Sequence, residues 1–377
     1  MTIRILQVVS SLIVSSGVMS VIMNYYRHID KNKIQFDFLY FGDADDSCVE
    51  EIKKLGGNIY YVSKPSLKHF WRARKEFKEF FENNSYRYSA VHLHEVYLVH
   101  FIGYFAQRYG IKRLITHAHS TKYSENPIRA IRNQVMCIGL KHGATDYFAC
   151  SKAAGEFYYG KKALDSGKVK IINNAIDVEK YKFNRKIRNK VRKELNIQGK
   201  FVVGHIGRMV SPKNQIFLLE VFREVKKQNH DAVLLMLGDG PLKENLIQKI
   251  DELSLKDSVI LLGVKLNVPE VLMAMDLFVL PSLFERLSIV AIEAQATGLD
   301  VVLSDTVTEE TNLGNCNFIS LNEKANEWAV KILEKFTVDD YSRRIDMHKI
   351  IKKFGYDILS EVQKLEILYL NDKKVNL

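Results

Sequence analysis

Two doubly wound α/β domains, facing each other across a cleft, are predicted by three observations. Short runs rich in Val, Ile, Leu and Phe alternate with charged amphipathic segments along nearly the whole chain, the pattern of right-handed βαβ units and buried parallel sheets. The alternation starts twice: Ile3 to Val9 precedes a Ser-rich loop and Gly17, and Phe201 to Ile206 precedes Gly207. A 377-residue chain that is 47% hydrophobic and 26% charged has the makeup of a globular protein of two or three domains.

The elements follow in order. Ile3 to Val9 reads as a buried strand rather than a leader segment. It carries one positive charge, is interrupted by Gln7 and Ser10-Ser11, and runs into the amphipathic stretch Val21 to Tyr26. Further strands are expected at Phe36–Tyr40, Ile59–Val62, Ala90–His94, Arg113–His117 and Tyr147–Cys150. The hinge is placed after Lys170–Asp177, where Asn173-Asn174 leads out of a short strand, so the domains are expected at 1–177 and 178–355. In the second, a helix over Gln215–Lys227 precedes strands at Val233–Leu237, Val259–Leu262, Leu277–Leu280 and Val301–Ser304. One long helical stretch, Tyr341 to about Leu370, has no strand after it.

Composition narrows the function. Cys48, Cys137, Cys150 and Cys316 are scattered without CxxC spacing, so neither a zinc site nor a disulfide framework is indicated, and a reducing cytoplasm is expected. No apolar run reaches the length of a membrane span. Of the net charge of +11, nine units fall in residues 1–180. A basic amino-terminal half implies an anionic partner, for which membrane surface, phosphorylated lipid and nucleic acid are the candidates.

The chemistry concentrates in the second half. Pro281-Ser282 closes the run Leu277–Leu280 and the pattern turns helical after Ser288. Glu285 is therefore expected at the carboxyl end of a strand and Glu293 a turn into the next helix, both aimed at one crevice. Two carboxylates there suit a ligand with two sets of vicinal hydroxyls, such as a nucleotide sugar. In Gly204-His205-Ile206-Gly207-Arg208 the glycines let the backbone approach a phosphate, and Arg208 with Lys213 puts two cations at that strand end. Gly238-Asp239-Gly240 and Gly263-Val264 mark two more strand ends.

Glu285-x7-Glu293, Gly207-Arg208…Lys213-Asn214 and Gly238-Asp239-Gly240 stand in one order that resembles family 4 of the retaining glycosyltransferases, and the resemblance covers essentially the whole chain. It implies the GT-B fold, two Rossmann-like domains with a carboxyl-terminal helix, 356–377, packing back on the first. It assigns acceptor binding to 1–177 and nucleotide-sugar binding, UDP-linked, to 178–355. By the same resemblance Arg208 and Lys213 hold the donor diphosphate and stabilise its departure without a metal. Glu293 takes the ribose hydroxyls and Glu285 those of the transferred sugar. The amides of Leu287, Ser288 and Ile289 face sugar or phosphate, Val264 marks the base, and the Gly17 loop approaches the diphosphate. His119, with His117 as second choice, lies near the anomeric carbon. No cofactor beyond the substrate is implied, and the front-face mechanism needs no protein nucleophile. The chain departs from the family at Ser16 and Met19, where Gly and Glu are usual, and at Arg286 and Ser288, where Gly and Pro are usual. Arg286 would crowd the sugar pocket or pair with an acidic sugar.

His92, His94, His117 and His119 form two i, i+2 pairs, each on one strand face, but without a clustered carboxylate or cysteine no metal site is expected. Asp43-Ala44-Asp45-Asp46 reads as a solvated loop. Residues 64–81, basic and aromatic, read either as a core-packed helix or as a peripheral membrane contact. The expected function is transfer of a sugar to a glycan or polyprenyl-diphosphate-linked acceptor in capsule or exopolysaccharide synthesis, on the inner face of the cell membrane. A nucleotide-sugar epimerase of the same fold and a non-catalytic binding homologue are the alternatives. Nucleic-acid binding, suggested by charge alone, is not expected.

Overall fold

The computed structural model describes residues 2–371 apart from 14, 15, 67, 125, 265, 266, 286 and 335–340. Ser15, Leu67 and Arg286 therefore lie outside the described residues. The chain divides into two units, one of residues up to Ala175 together with those from Ile358 on, the other Ile176–Asp357.

The first unit runs β1 (Ile3–Val9), α1 (Gly17–His28), β2 (Ile34–Tyr40), α2 (Asp46–Lys54), β3 (Ile59–Tyr61), α3 (Phe70–Asn84), β4 (Ala90–Leu93), α4 (Val99–Arg108) and β5 (Leu114–Ala118). It continues with α5 (Pro127–Met136), α6 (Leu140–Gly143), β6 (Asp146–Ala149), α7 (Lys152–Tyr159), α8 (Lys161–Asp165) and β7 (Val169–Ile171). The second unit holds α9 (Arg185–Glu194), β8 (Phe201–Ile206), α10 (Gln215–Gln228), β9 (Ala232–Leu237), α11 (Lys243–Glu252), β10 (Val259–Gly263) and α12 (Val268–Ala274). After these come β11 (Leu277–Leu280), α13 (Ile289–Ala296), β12 (Asp300–Ser304), β13 (Cys316–Ile319), α14 (Ala325–Glu334) and α15 (Ser342–Lys353). The last helix, α16 (Ile358–Leu370), belongs to the first unit.

Both sheets are parallel and share one strand order, β3-β2-β1-β4-β5-β6-β7 and β10-β9-β8-β11-β12-β13. In each, the opening strand is flanked on either side by strands reached in opposite directions. Loops at its carboxyl end part there and leave the crevice in which doubly wound sheets bind ligands. The central strands are buried on both faces, β9 in all six residues, which is why they read as continuous apolar runs.

Three details differ from the sequence reading. The expected helix Tyr341–Leu370 is two helices: the chain leaves α15 through Gly355 at φ +82° and restarts at Ile358. The edge strand β13 was not anticipated, because Cys316-Asn317-Phe318 is half-buried and lacks an apolar run. The acidic run 43–46 is partly helical, with Asp45 at the N-cap of α2 and Asp46 in its first turn, where negative charge suits the helix dipole.

α16 is fastened at both ends. Glu361 accepts the Asn173 amide (2.9 Å) and Glu366 that of Asp30 (2.7 Å). Arg113 donates to the carbonyls of Leu368 (2.6 Å) and Tyr369 (2.9 Å), a cation at a helix carboxyl terminus.

Candidate functional site

In the second unit the crevice lies outside β8 and β11. After β8, Gly207 donates to Leu237 (2.9 Å) and the chain turns through a single 3-10 turn, Ser211–Lys213, into α10. Asn214 takes the left-handed conformation (φ +54°) that joins turn to helix, a geometry asparagine tolerates better than most residues. Gly238 sits beneath this loop at φ +135°, and a Cβ there would lie 2.0 Å from the Gly207 carbonyl oxygen, so only glycine lets the two strand ends meet.

The loop after β11 is tied to the one after β8. The Leu283 amide donates to the Pro212 carbonyl (2.9 Å), and Ser304 and Thr306 hydroxyls both donate to the Ser282 carbonyl (2.6 Å each). Held this way, Glu285 forms an ion pair with Lys213, and the Ser282 hydroxyl lies 3.5 Å from the same carboxylate oxygen. Both charged side chains are mostly buried, and the Lys213 stem passes over Gly207. The structure therefore brings together Gly207, Lys213 and Glu285, though they are far apart in sequence. Arg208, on the same loop, is exposed, and no partner for its guanidinium is found among the described residues.

Glu293 lies in the second turn of α13, where the sequence places it, and accepts a hydrogen bond from the Tyr181 hydroxyl (2.6 Å). Burial raises its pKa to about 7, against which the Tyr181 bond pulls it down. Tyr181 itself was missed: it stands in a charged segment, and nothing nearby in sequence marks it as the partner of a residue 112 positions away. Of the three amides expected to face a ligand, that of Ser288 is already turned to Thr311 Oγ1 (3.4 Å), because Ser288 forms the N-cap of α13 and is buried. Those of Leu287 and Ile289 have no such partner among the described residues. Val264, just beyond the left-handed Gly263, is exposed.

The first unit carries a second constellation at its own crevice, between β1 and β4. In the parallel sheet His92 and His94 of the β4 strand end lie beside His117 and His119 of the β5 end. Ring nitrogens of His92, His94 and His117 lie within 4.8 Å of one another. Their contacts are with each other and with Gln7 and Tyr369. His92 Nδ1 is 2.5 Å from the Tyr369 hydroxyl and its Nε2 3.2 Å from His117 Nδ1. His94 Nε2 is 2.8 Å from Gln7 Oε1 and its Nδ1 2.8 Å from His119 Nε2. Gln7 Nε2 in turn donates to the Tyr369 hydroxyl (3.3 Å).

One neutral tautomer for each ring satisfies all these contacts, with Tyr369 donating to His92, His92 to His117, His94 to Gln7 and His119 to His94. Burial holds His92, His94 and His117 well below the usual imidazole pKa, and the neighbouring rings reinforce this. The rings stack, His117 on His119 at 4.1 Å and His92 on His94 at 4.4 Å, instead of radiating from one centre as metal ligands do. A cavity of about 20 Å³, room for one water, lies among them and α1 and α16.

Glu95, next along, was also missed. Burial raises its pKa, while a hydrogen bond to Ser10 at the end of β1 opposes the rise. Gly17 begins α1 with open space around it, whereas Met19, where the family resemblance implies a glutamate, is a buried core residue. α3 buries one face, Ala73, Phe77, Phe80 and Phe81, and leaves the other exposed, with Phe70 and Trp71 in its first turn and Arg74, Lys75 and Lys78 further along.

Residues 15–180 match the family described as Glycosyltransferase Family 4, and residues 200–337 match that described as Glycosyl transferases group 1. A Bacillus subtilis (strain 168) protein named "Putative glycosyltransferase EpsF" is 29% identical over 97% of this chain and 96% of its own. An Escherichia coli UDP-Gal:alpha-D-GlcNAc-diphosphoundecaprenol alpha-1,3-galactosyltransferase is 28% identical over 55% of each chain. Among solved structures, Anabaena Alr3699/HepE in complex with UDP and glucose superposes with a TM-score of 0.75 at 18% identity, over 96% of this chain and 98% of that one, which speaks to the fold alone.

Proposed function

The chain belongs to the family 4 glycosyltransferases, and from that premise we propose that it moves a sugar, with retention of anomeric configuration, from a UDP-linked donor to a glycan or polyprenyl-diphosphate-linked acceptor in capsule or exopolysaccharide synthesis. The observation that carries this reading is the pairing of Lys213 with Glu285 at the carboxyl ends of β8 and β11. A cation and a carboxylate poised together there match the two halves of a sugar diphosphate. Lys213 with Arg208 takes the diphosphate; Glu285, released from its partner, accepts hydroxyls of the sugar. Glu293 takes the ribose hydroxyls, and the amides of Leu287 and Ile289 receive phosphate or sugar oxygens at the start of α13.

Charge developing on the leaving UDP is stabilised by the two cations, so the reaction needs no metal. His119, oriented through His94 and Gln7, lies in the first unit, which receives the acceptor. The Escherichia coli relative, a UDP-Gal:alpha-D-GlcNAc-diphosphoundecaprenol galactosyltransferase, and the UDP-bound Anabaena structure support a uridine nucleotide and a lipid-diphosphate acceptor.

The test is direct. Each UDP-sugar is screened for stabilisation of the fold, and the stabilising donor is incubated with a polyprenyl-diphosphate saccharide. The expected product keeps the donor's anomeric configuration by NMR, and EDTA leaves the rate unchanged. An inverted product, or a rate abolished by EDTA and restored by Mn²⁺, would overturn the mechanism. Failure of every nucleotide sugar to stabilise or turn over would overturn the donor assignment.

A further inference from the structure

α5 is folded inside out. Its inward positions are Ala130, Asn133, Met136 and the following Cys137, whereas Ile128, Ile131 and Val135, with Ile138 just past the helix, are 80%, 65%, 59% and 71% exposed. A surface helix ordinarily turns its apolar stripe to the core. This orientation is fixed. Asn133 is buried and donates to the Tyr123 carbonyl (2.7 Å) while accepting from Arg132, and Met136, Cys137 and Leu140 pack on the core of the first unit. The helix start is capped as well, the Asn126 side chain accepting the Arg129 amide (3.1 Å). Four branched apolar side chains are thus held outward on one stripe, the arrangement that marks an interaction surface.

Charge selects the occupant. From Asn126 to Thr145 the sequence contains no Asp or Glu, but has Arg129, Arg132 and Lys141. Arg129, exposed in the first turn next to Ile128, and Arg132, exposed at the edge of the stripe after Ile131, are its cations, and the first half of the chain is basic as a whole. Two copies meeting through this face would bring like charges together, whereas an apolar stripe edged by cations is the composition of a helix lying in the interface of an anionic bilayer. We propose that α5 docks the protein on an anionic membrane surface, with Ile128, Ile131, Val135 and Ile138 inserted among the acyl chains and Arg129 at the headgroups. This goes beyond the proposed transfer reaction and does not depend on it. It adds a second surface, 127–138, to the contact expected at 64–81, where Phe77, Phe80 and Phe81 are core residues and Phe70 and Trp71 are exposed.

The full chain is sedimented with vesicles of phosphatidylglycerol and phosphatidylcholine, and with phosphatidylcholine alone, at low and high salt. The expected result is binding to the anionic vesicles, weakened by salt, with at least tenfold weaker partitioning for the triple variant Ile128→Ser, Ile131→Ser, Val135→Ser. Arg129→Glu should also weaken it. Because these side chains are exposed, the variants should melt with the parent and release UDP from the donor at the parent's rate, which separates this proposal from the catalytic one. Equal binding by parent and triple variant, or no binding by the parent, would overturn it. So would self-association of the parent that the triple variant abolishes.

Discussion

Glu293 is a carboxylate whose protonation lies within the working pH range. Its folded pKa of about 7 exceeds the ordinary value, so between roughly pH 4.5 and 7 the folded chain holds a proton that the unfolded chain has lost. The resulting stability is full in acid and is lost as pH rises through about 7. Hydroxyls that donate to the carboxylate favour its ionised form, so UDP binding should expel a proton near neutrality. Calorimetry in buffers of different ionisation enthalpy should detect this release, and Glu293→Gln should abolish it. Tyr181→Phe removes the bond that opposes the rise, so proton release should persist to higher pH and UDP affinity at pH 7 should fall several-fold. An unchanged proton stoichiometry in both variants would mean that Glu293 does not meet the nucleotide.

Lys213 and Glu285 give a second residue-scale prediction with opposite signs on binding and turnover. In Glu285→Gln the lysine loses its internal anion and meets the diphosphate unopposed. UDP should bind several-fold more tightly while transfer falls by about tenfold or more, since a contact to the sugar has been lost. A mere structural pair would lose stability and leave both ratios alone.

At the scale of elements, the two crevices depend on close fits between strands and the helices that cover them. Tyr369 on α16 supplies the hydroxyl between Gln7 and His92, in a site that Phe36 and Leu365 also line. Tyr369→Phe leaves buried polar atoms without a partner and should cost about 1–3 kcal/mol of stability by chemical denaturation. It should also change the exchange rates of the histidine ring protons by NMR. Gly238→Ala, which forces a Cβ against the Gly207 carbonyl, should both destabilise the second unit and weaken UDP binding, because the loop carrying Arg208 and Lys213 must move.

The strands and most helices of these crevices were legible in the sequence because a buried parallel strand must be apolar throughout. β13, half-buried at a sheet edge, was not. The single terminal helix was a misreading of the same kind. A helical pattern continues through residues 341–370, and periodicity does not reveal that the helix breaks at Gly355 and that the residues from Ile358 on belong to the first unit.

Over the whole molecule the neutral histidines govern the response to acid. His92, His94 and His117 have folded pKa values well below the unfolded 6.5, so they contribute stability that is present above that value and lost as pH falls below it. Each can remove up to about 1.4 kcal/mol per pH unit. His205, in the second unit, is lowered to about 4 by burial and adds to the loss there. With three such groups against one among the described residues, the first unit should yield first. Hydrogen exchange at pH 5 should expose β4 and β5 amides before those of β8 and β11, and His92→Gln with His117→Gln should flatten the pH dependence. Simultaneous loss in both units would refute this order.

The sequence by itself determined the two starts of the αβ alternation, the loop cations, the two glutamates and their spacing, since strand burial and local turn chemistry are written in neighbouring residues. Only tertiary structure decided which distant groups pair. Lys213 meets Glu285, 72 positions away, because β8 and β11 are adjacent in the sheet. Glu293 finds Tyr181, and the histidines reach Tyr369, through packing between segments more than a hundred residues apart. The same holds for α5, whose isoleucines face outward because Asn133 and Met136 occupy the inner face. Periodicity reveals that a helix has two faces, but only the surrounding fold decides which one meets water.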